Sequence, residues 1–127
     1  MRLPIQYAFS YPERWETPLP ALDLTRAGRL EFDLPDTDAF PCLRLAHRAL
    51  EGDESLPVVL NAANEVAVAR FLEGRLAFTS IAGVIERTMD VHRPAEMTTL
   101  GAVRATDLWA RAYSREIARE VEVKLRV

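Results

Sequence analysis

The chain has 127 residues, 49% hydrophobic and 28% charged, with a formal net charge of -3. That length supports one real core and excludes a large two-domain enzyme, and the balance is that of a folded domain rather than a disordered one. Arg and Glu are interspersed with no sustained basic stripe, which argues against nucleic acid as a partner, and no apolar run approaches the roughly 20 residues that cross a bilayer.

Taken in chain order, the first element spans Met1 to about Tyr11. Pro4 suits the first turn of a helix, where its missing N–H costs little, and Ile5, Ala8 and Phe9 then share a face. Pro12 ends it, because the residue before a proline is pushed out of the helical region. Next comes "ERWETPLPALDLTRAGRLEFDLPD", with three prolines, one glycine and no helical period, so residues 12–36 read as an extended linker. Within it Leu30, Phe32 and Leu34 alternate with Glu31 and Asp33, the pattern of one short half-buried strand over 30–34. A lone strand cannot satisfy its own N–H and C=O groups, and no second strand is evident, so this edge expects a partner.

From residue 37 to 127 the pattern is helical. Leu43, Leu45, Ala46, Ala49 and Leu50 form a first helix, opened by Pro41 and closed by Gly52. Pro57 opens a second and Gly74 closes it. Thr79 or Ser80 caps a third, in which Ile81, Val84, Ile85 and Met89 recur at i, i+3, i+4 spacing until Pro94. Thr98 or Thr99 caps the fourth, with an apolar stripe through Val103, Ala110, Tyr113, Ile117 and Val121 and a favourable Glu120 to Lys124 pair near its end. The fold class is therefore mainly α: a C-terminal four-helix bundle preceded by a short helix and an extended linker with one short strand.

The most informative polar group is Asn61, Asn64 and Glu65, inside the otherwise apolar "LNAANEVAVARFL". Three- and four-residue spacings aim all three roughly one way. A catalytic reading makes Glu65 an acid, base or metal ligand; a structural one makes the trio a hydrogen-bond network tying helix ends and loops together. The structural reading is preferred, since no second titrating group lies nearby in sequence. It expects Asn64→Leu to lower the stability of the bundle. His47 and His92 are too far apart, and too short of neighbouring ligands, to suggest a metal site. His47 reads as solvated and His92 as a helix-end residue whose charge would suit the dipole. Cys42 forbids an internal disulfide, in keeping with a reducing, cytoplasmic compartment, and reads as a small buried hydrophobe. The N-terminus has no signal-peptide pattern. No glycine-rich phosphate loop, G-x-S-x-G or H-E-x-x-H is present.

Four segments, "MRLPIQYAFSYPER", "LEFDLPDTDAFPCLRLA", "PVVLNAANEVAVARFLEGRLAFTSI" and "ATDLWARA", resemble in order and spacing the C-terminal portion of the 1-deoxy-D-xylulose 5-phosphate reductoisomerases. That family is NADPH- and divalent-metal-dependent (Mn or Mg), homodimeric, and serves the non-mevalonate isoprenoid pathway. The resemblance implies that residues 1–11 are a remnant of the central catalytic domain, 12–36 the linker, and 37–127 the C-terminal bundle. It also implies that the strand near Leu30 to Leu34 lies against the catalytic domain. The cofactor loop, metal carboxylates and substrate-binding residues of the family have no counterpart here. Met1 alone corresponds to a position at the active site, an apolar wall near the nicotinamide, so the chain by itself is expected to be inactive. Asp53, Glu54 and Ser55 stand where the family has a glycine-rich turn, and Gly101 and Ala102 where it often has acidic residues that firm the start of the last helix. A competing reading is a stand-alone helical interaction module.

Overall fold

The computed structural model describes residues 1–122 and divides the chain into two compact units, Met1–Leu34 and Pro35–Val127. In the first unit, α1 (Arg2–Ser10) starts one residue after Met1, whose carbonyl accepts from Ile5 N–H at 3.3 Å. Pro4 is thus its third residue, still inside the turn whose N–H groups have no intrahelical partner. Tyr11 turns to φ -49°, ψ 133°, the extended conformation that Pro12 imposes on the residue before it. Polar ties hold the chain that follows. Gln6 Nε2 donates to the carbonyls of Trp15 (3.1 Å) and Glu16 (2.9 Å), and the Arg14 guanidinium sits 4.5 Å over the Tyr7 ring. The apolar face built by Ile5 and Phe9 is exposed.

Residues 12–34 contain one element that the proline-rich composition conceals: a single turn, α2 (Leu24–Ala27). Asp23 caps it, its carboxylate accepting from Thr25 N–H at 2.9 Å and from the Thr25 hydroxyl at 2.6 Å, and Gly28 ends it at φ 73°. The expected strand at Leu30 to Leu34 is not formed, and no strand occurs among the described residues. The alternation there buries nothing: Phe32 is 87% and Leu34 93% exposed. A strand exists only as half of a ladder, and no described segment supplies the other half.

The second unit is the expected set of four helices, α3 (Pro41–Glu51), α4 (Leu56–Leu72), α5 (Ser80–Val91) and α6 (Leu100–Glu120). α4 packs against the other three. Its sequence is apolar nearly all round, as a central helix must be, and it buries Leu56, Val59, Ala62, Ala63, Val66 and Ala67. Alanines at the contacts let neighbours approach closely. Leu45 and Ala49 of α3, Ile81, Val84, Ile85 and Met89 of α5, and Ala110, Ile117 and Ala118 of α6 complete one core.

Local chemistry sets most of the ends. Pro41 lies in the first turn of α3, and a Cβ on Gly52 would displace the Leu56 side chain and crowd the Arg48 carbonyl, so the α3–α4 turn favours glycine there. Gly74 adopts φ 71° after α4, donating to the Phe71 carbonyl at 2.9 Å, while Arg75 N–H reaches the Arg70 carbonyl at 2.9 Å. Thr99 caps α6 through its hydroxyl, which accepts from Ala102 N–H at 3.1 Å and supplies the start that the absent acidic residues do not. Thr79 precedes α5 without a side-chain cap. A helical turn already leads in, with the carbonyls of Ala77 and Phe78 accepting from Ser80 and Ile81 N–H. Near the end of α6, Lys124 lies outside the described residues, and Glu120 instead accepts from Arg87 of α5 at 2.5 Å. Arg44–Glu86 (3.0 Å) and Arg48–Asp90 (2.5 Å) tie α3 to α5.

Candidate functional site

The residues of "NAANE" do not converge. At about 100° per residue, Asn61 and Glu65 lie roughly 40° apart around the helix, while Asn64 is about 100° from Glu65. Asn61 Nδ2 accordingly donates to Glu65 Oε1 at 3.2 Å, and Glu65 Oε2 accepts from Arg111 of α6 at 2.6 Å. Arg111 also donates to Asp107 at 2.8 Å, giving a four-residue chain across the exposed seam of α4 and α6. The hydrogen bonds from Arg111 and then Asn61, followed by the Arg111 charge, hold the Glu65 carboxyl below its ordinary pKa; the bonds to Asp107 and Glu65 raise that of Arg111. One guanidinium bonded to two carboxylates on neighbouring helices can brace them. This is a link between helix middles at the α4–α6 interface, not the tie between helix ends and loops that spacing suggested.

Asn64 is on another side. It lines an apolar cleft with Phe40, Cys42, Phe78 and Ile81, and among the described residues its side chain makes no hydrogen bond. Cys42 is exposed at this cleft rather than buried, because the start of α3 has no covering element on that flank in the described chain.

A second polar cluster joins the turn between α3 and α4 to the segment after α5. Ser55 is fully buried at its centre. Its hydroxyl meets the Asp53 carboxylate, lies 2.5 Å from His92 Nε2, and accepts from Ala95 N–H at 3.2 Å. Ser55 N–H also donates to Asp53 at 3.0 Å. A hydroxyl has one proton and two lone pairs. Donating to Asp53 while accepting from His92 and Ala95 uses all three. For Asp53, burial works to raise the pKa, but the Ser55 hydroxyl and backbone N–H, with the His92 charge behind them, prevail and hold it below its ordinary value. The trio contains the residue types of a hydrolase triad in the wrong order. The acid binds the serine instead of orienting the histidine, and the serine is sealed from any substrate.

His92 therefore belongs to a loop clasp, with its ring 5.3 Å from that of Trp109, which stacks at 5.8 Å on Tyr113. The Asp53-x-Ser55 spacing is the one signal that could have found this turn in sequence, as an Asx pattern. Its partner 37 residues away carried no such signal. His47 is exposed on α3, and Met1 is exposed at the start of α1. Among the described residues no group of three or more His, Cys, Asp and Glu could hold a metal ion, and the one close histidine–carboxylate pair, His92–Asp53 at 3.8 Å, has the Ser55 hydroxyl bonded to both. The residues present do not fit a divalent cation.

A family model described as the DXP reductoisomerase C-terminal domain matches residues 1–113. The chain belongs to that family. Among relatives, the 1-deoxy-D-xylulose 5-phosphate reductoisomerase of Geobacter metallireducens is 52% identical over 117 residues, 92% of this chain and 30% of the relative. That of Trichlorobacter lovleyi is 48% identical over 122 residues, 96% and 31%. The chain thus spans about a third of the length of the curated relatives it matches. Solved structures agree. The reductoisomerase from Zymomonas mobilis in complex with NADPH superposes with a TM-score of 0.85 at 38% identity, covering 92% of this chain and 31% of that one. A DOX-P reductoisomerase in complex with NADPH, fosmidomycin and magnesium does so at 0.77 and 31%, with 92% and 31% covered.

Proposed function

We propose that this chain is the C-terminal supporting part of an NADPH- and divalent-metal-dependent reductoisomerase, converting 1-deoxy-D-xylulose 5-phosphate to 2-C-methyl-D-erythritol 4-phosphate in isoprenoid biosynthesis. The observation that carries this reading is the family match across residues 1–113. The likeness to a reductoisomerase described in complex with NADPH supports it. In this reading the reagents are held by central catalytic and dinucleotide-binding domains. The metal, Mn or Mg, acts there as the Lewis acid. The bundle is a stiff body beside them, and Met1 offers one apolar wall toward the nicotinamide. The hydrogen bonds that tie Asp53, Ser55 and His92 to one another, and Glu65 to Arg111, support a mechanical role. The working form is a cytoplasmic homodimer with neither nucleic acid nor membrane as partner. Interspersed charge, and the lack of any described helix long and apolar enough to cross a bilayer, support the last two points.

The test joins this chain to the preceding two thirds of the Zymomonas mobilis enzyme and follows NADPH oxidation with deoxyxylulose phosphate and Mn. The chimera is expected to turn over, and this chain alone is not. A folded but inactive chimera, or turnover by the chain alone, overturns the proposal.

A further inference from the structure

We draw no further inference here: the strongest candidate, the apolar cleft of about 480 Å³ where Phe40 and Cys42 at the start of α3 meet Asn64 of α4 and Phe78 and Ile81 beside α5, is an unpartnered face, and nothing in the structure shows what covers it.

Discussion

Leu45 in α3 and Phe32 in the linker are both large apolar residues set in a regular hydrophobic pattern, yet Leu45 is fully buried and Phe32 is 87% exposed. The difference lies in what each pattern needs. A 3.6-residue period makes a helix whose backbone is satisfied within itself, so α3 needs from α4 only an apolar surface for its buried residues. A two-residue period makes a strand only when a neighbour accepts its hydrogen bonds. The bundle therefore closes with what the described chain contains, and the segment from Leu30 to Leu34 does not.

The sharpest way to break this contrast is a pair of truncations. Leu45→Ala empties a site in the core and is expected to cost about 2–5 kcal/mol, read as a lower denaturant midpoint with unchanged slope. Phe32→Ala removes more side chain, and is expected to stay within about 0.5 kcal/mol. Equal losses from the two would show that the linker is packed after all. In the chimera described above, where the proposed catalytic domain is present, Phe32→Ala should become clearly destabilising. If it stays silent there, the linker does not dock.

Ser55→Ala comes next. It leaves Asp53, His92 and Ala95 N–H around a hole with no central partner, and should lower stability by about 1–3 kcal/mol. The same cluster predicts a pH dependence. Asp53 is more acidic folded than unfolded, so it contributes stability above its ordinary pKa of 3.8 and loses it as pH falls through the lower folded value. Glu65 is depressed too and overlaps this window. The measurement is therefore a difference: chain minus Asp53→Asn, midpoint against pH from about 5 to 2. The two curves should converge at the acid end. Parallel curves would mean that Asp53 keeps the same acidity on unfolding.

A smaller effect belongs to the buried hydroxyl pair between α5 and α6. Thr88 Oγ1 donates to the Val84 carbonyl (2.8 Å), Ser114 Oγ donates to the Ala110 carbonyl (2.6 Å), and the two oxygens lie 3.0 Å apart. Two protons serve three contacts, so one contact is always a contact between acceptors. Thr88→Val keeps the shape and leaves Ser114 its carbonyl, and should cost about 1 kcal/mol. With Ser114→Ala added, the double variant should lose less than the sum of the two. Simple additivity would show that the hydroxyls do not share a proton.

The residues that announced themselves in sequence were those whose signals act within a turn or two. Pro41, Gly52, Gly74, Pro94 and Thr99 bound their helices, and the α5 stripe named its buried face, whereas of the α3 stripe only Leu45 and Ala49 are buried and Leu43, Ala46 and Leu50 are exposed. Signals that need a distant partner were misread or silent. Alternation at Leu30 to Leu34 looked like a strand because alternation says nothing of a neighbour. Thr79 looked like a cap because the turn formed by Ala77 and Phe78 is not written in its own residue type. The Ser55–His92 contact joins two loops across the bundle, and only the packing of α3, α4 and α5 brings them together. Cys42 looked buried from its apolar neighbours in sequence, yet it opens on a cleft.

Asn64→Leu separates these two kinds of legibility. If the three polar residues of "NAANE" formed one network, removing its middle amide would weaken the bundle. The structure instead puts Asn61 and Glu65 on the α6 seam and leaves Asn64 over the apolar cleft beside Phe78 and Ile81. Leucine there gives up no hydrogen bond seen in the described chain, fills apolar space, and is the better helix former. The unfolding midpoint should hold or rise by a few tenths of a kcal/mol, whereas Arg111→Leu, which strips both Glu65 and Asp107 of their cation, should lower it, and less so in high salt. A clear loss on Asn64→Leu would restore the single network and with it the expectation drawn from spacing alone.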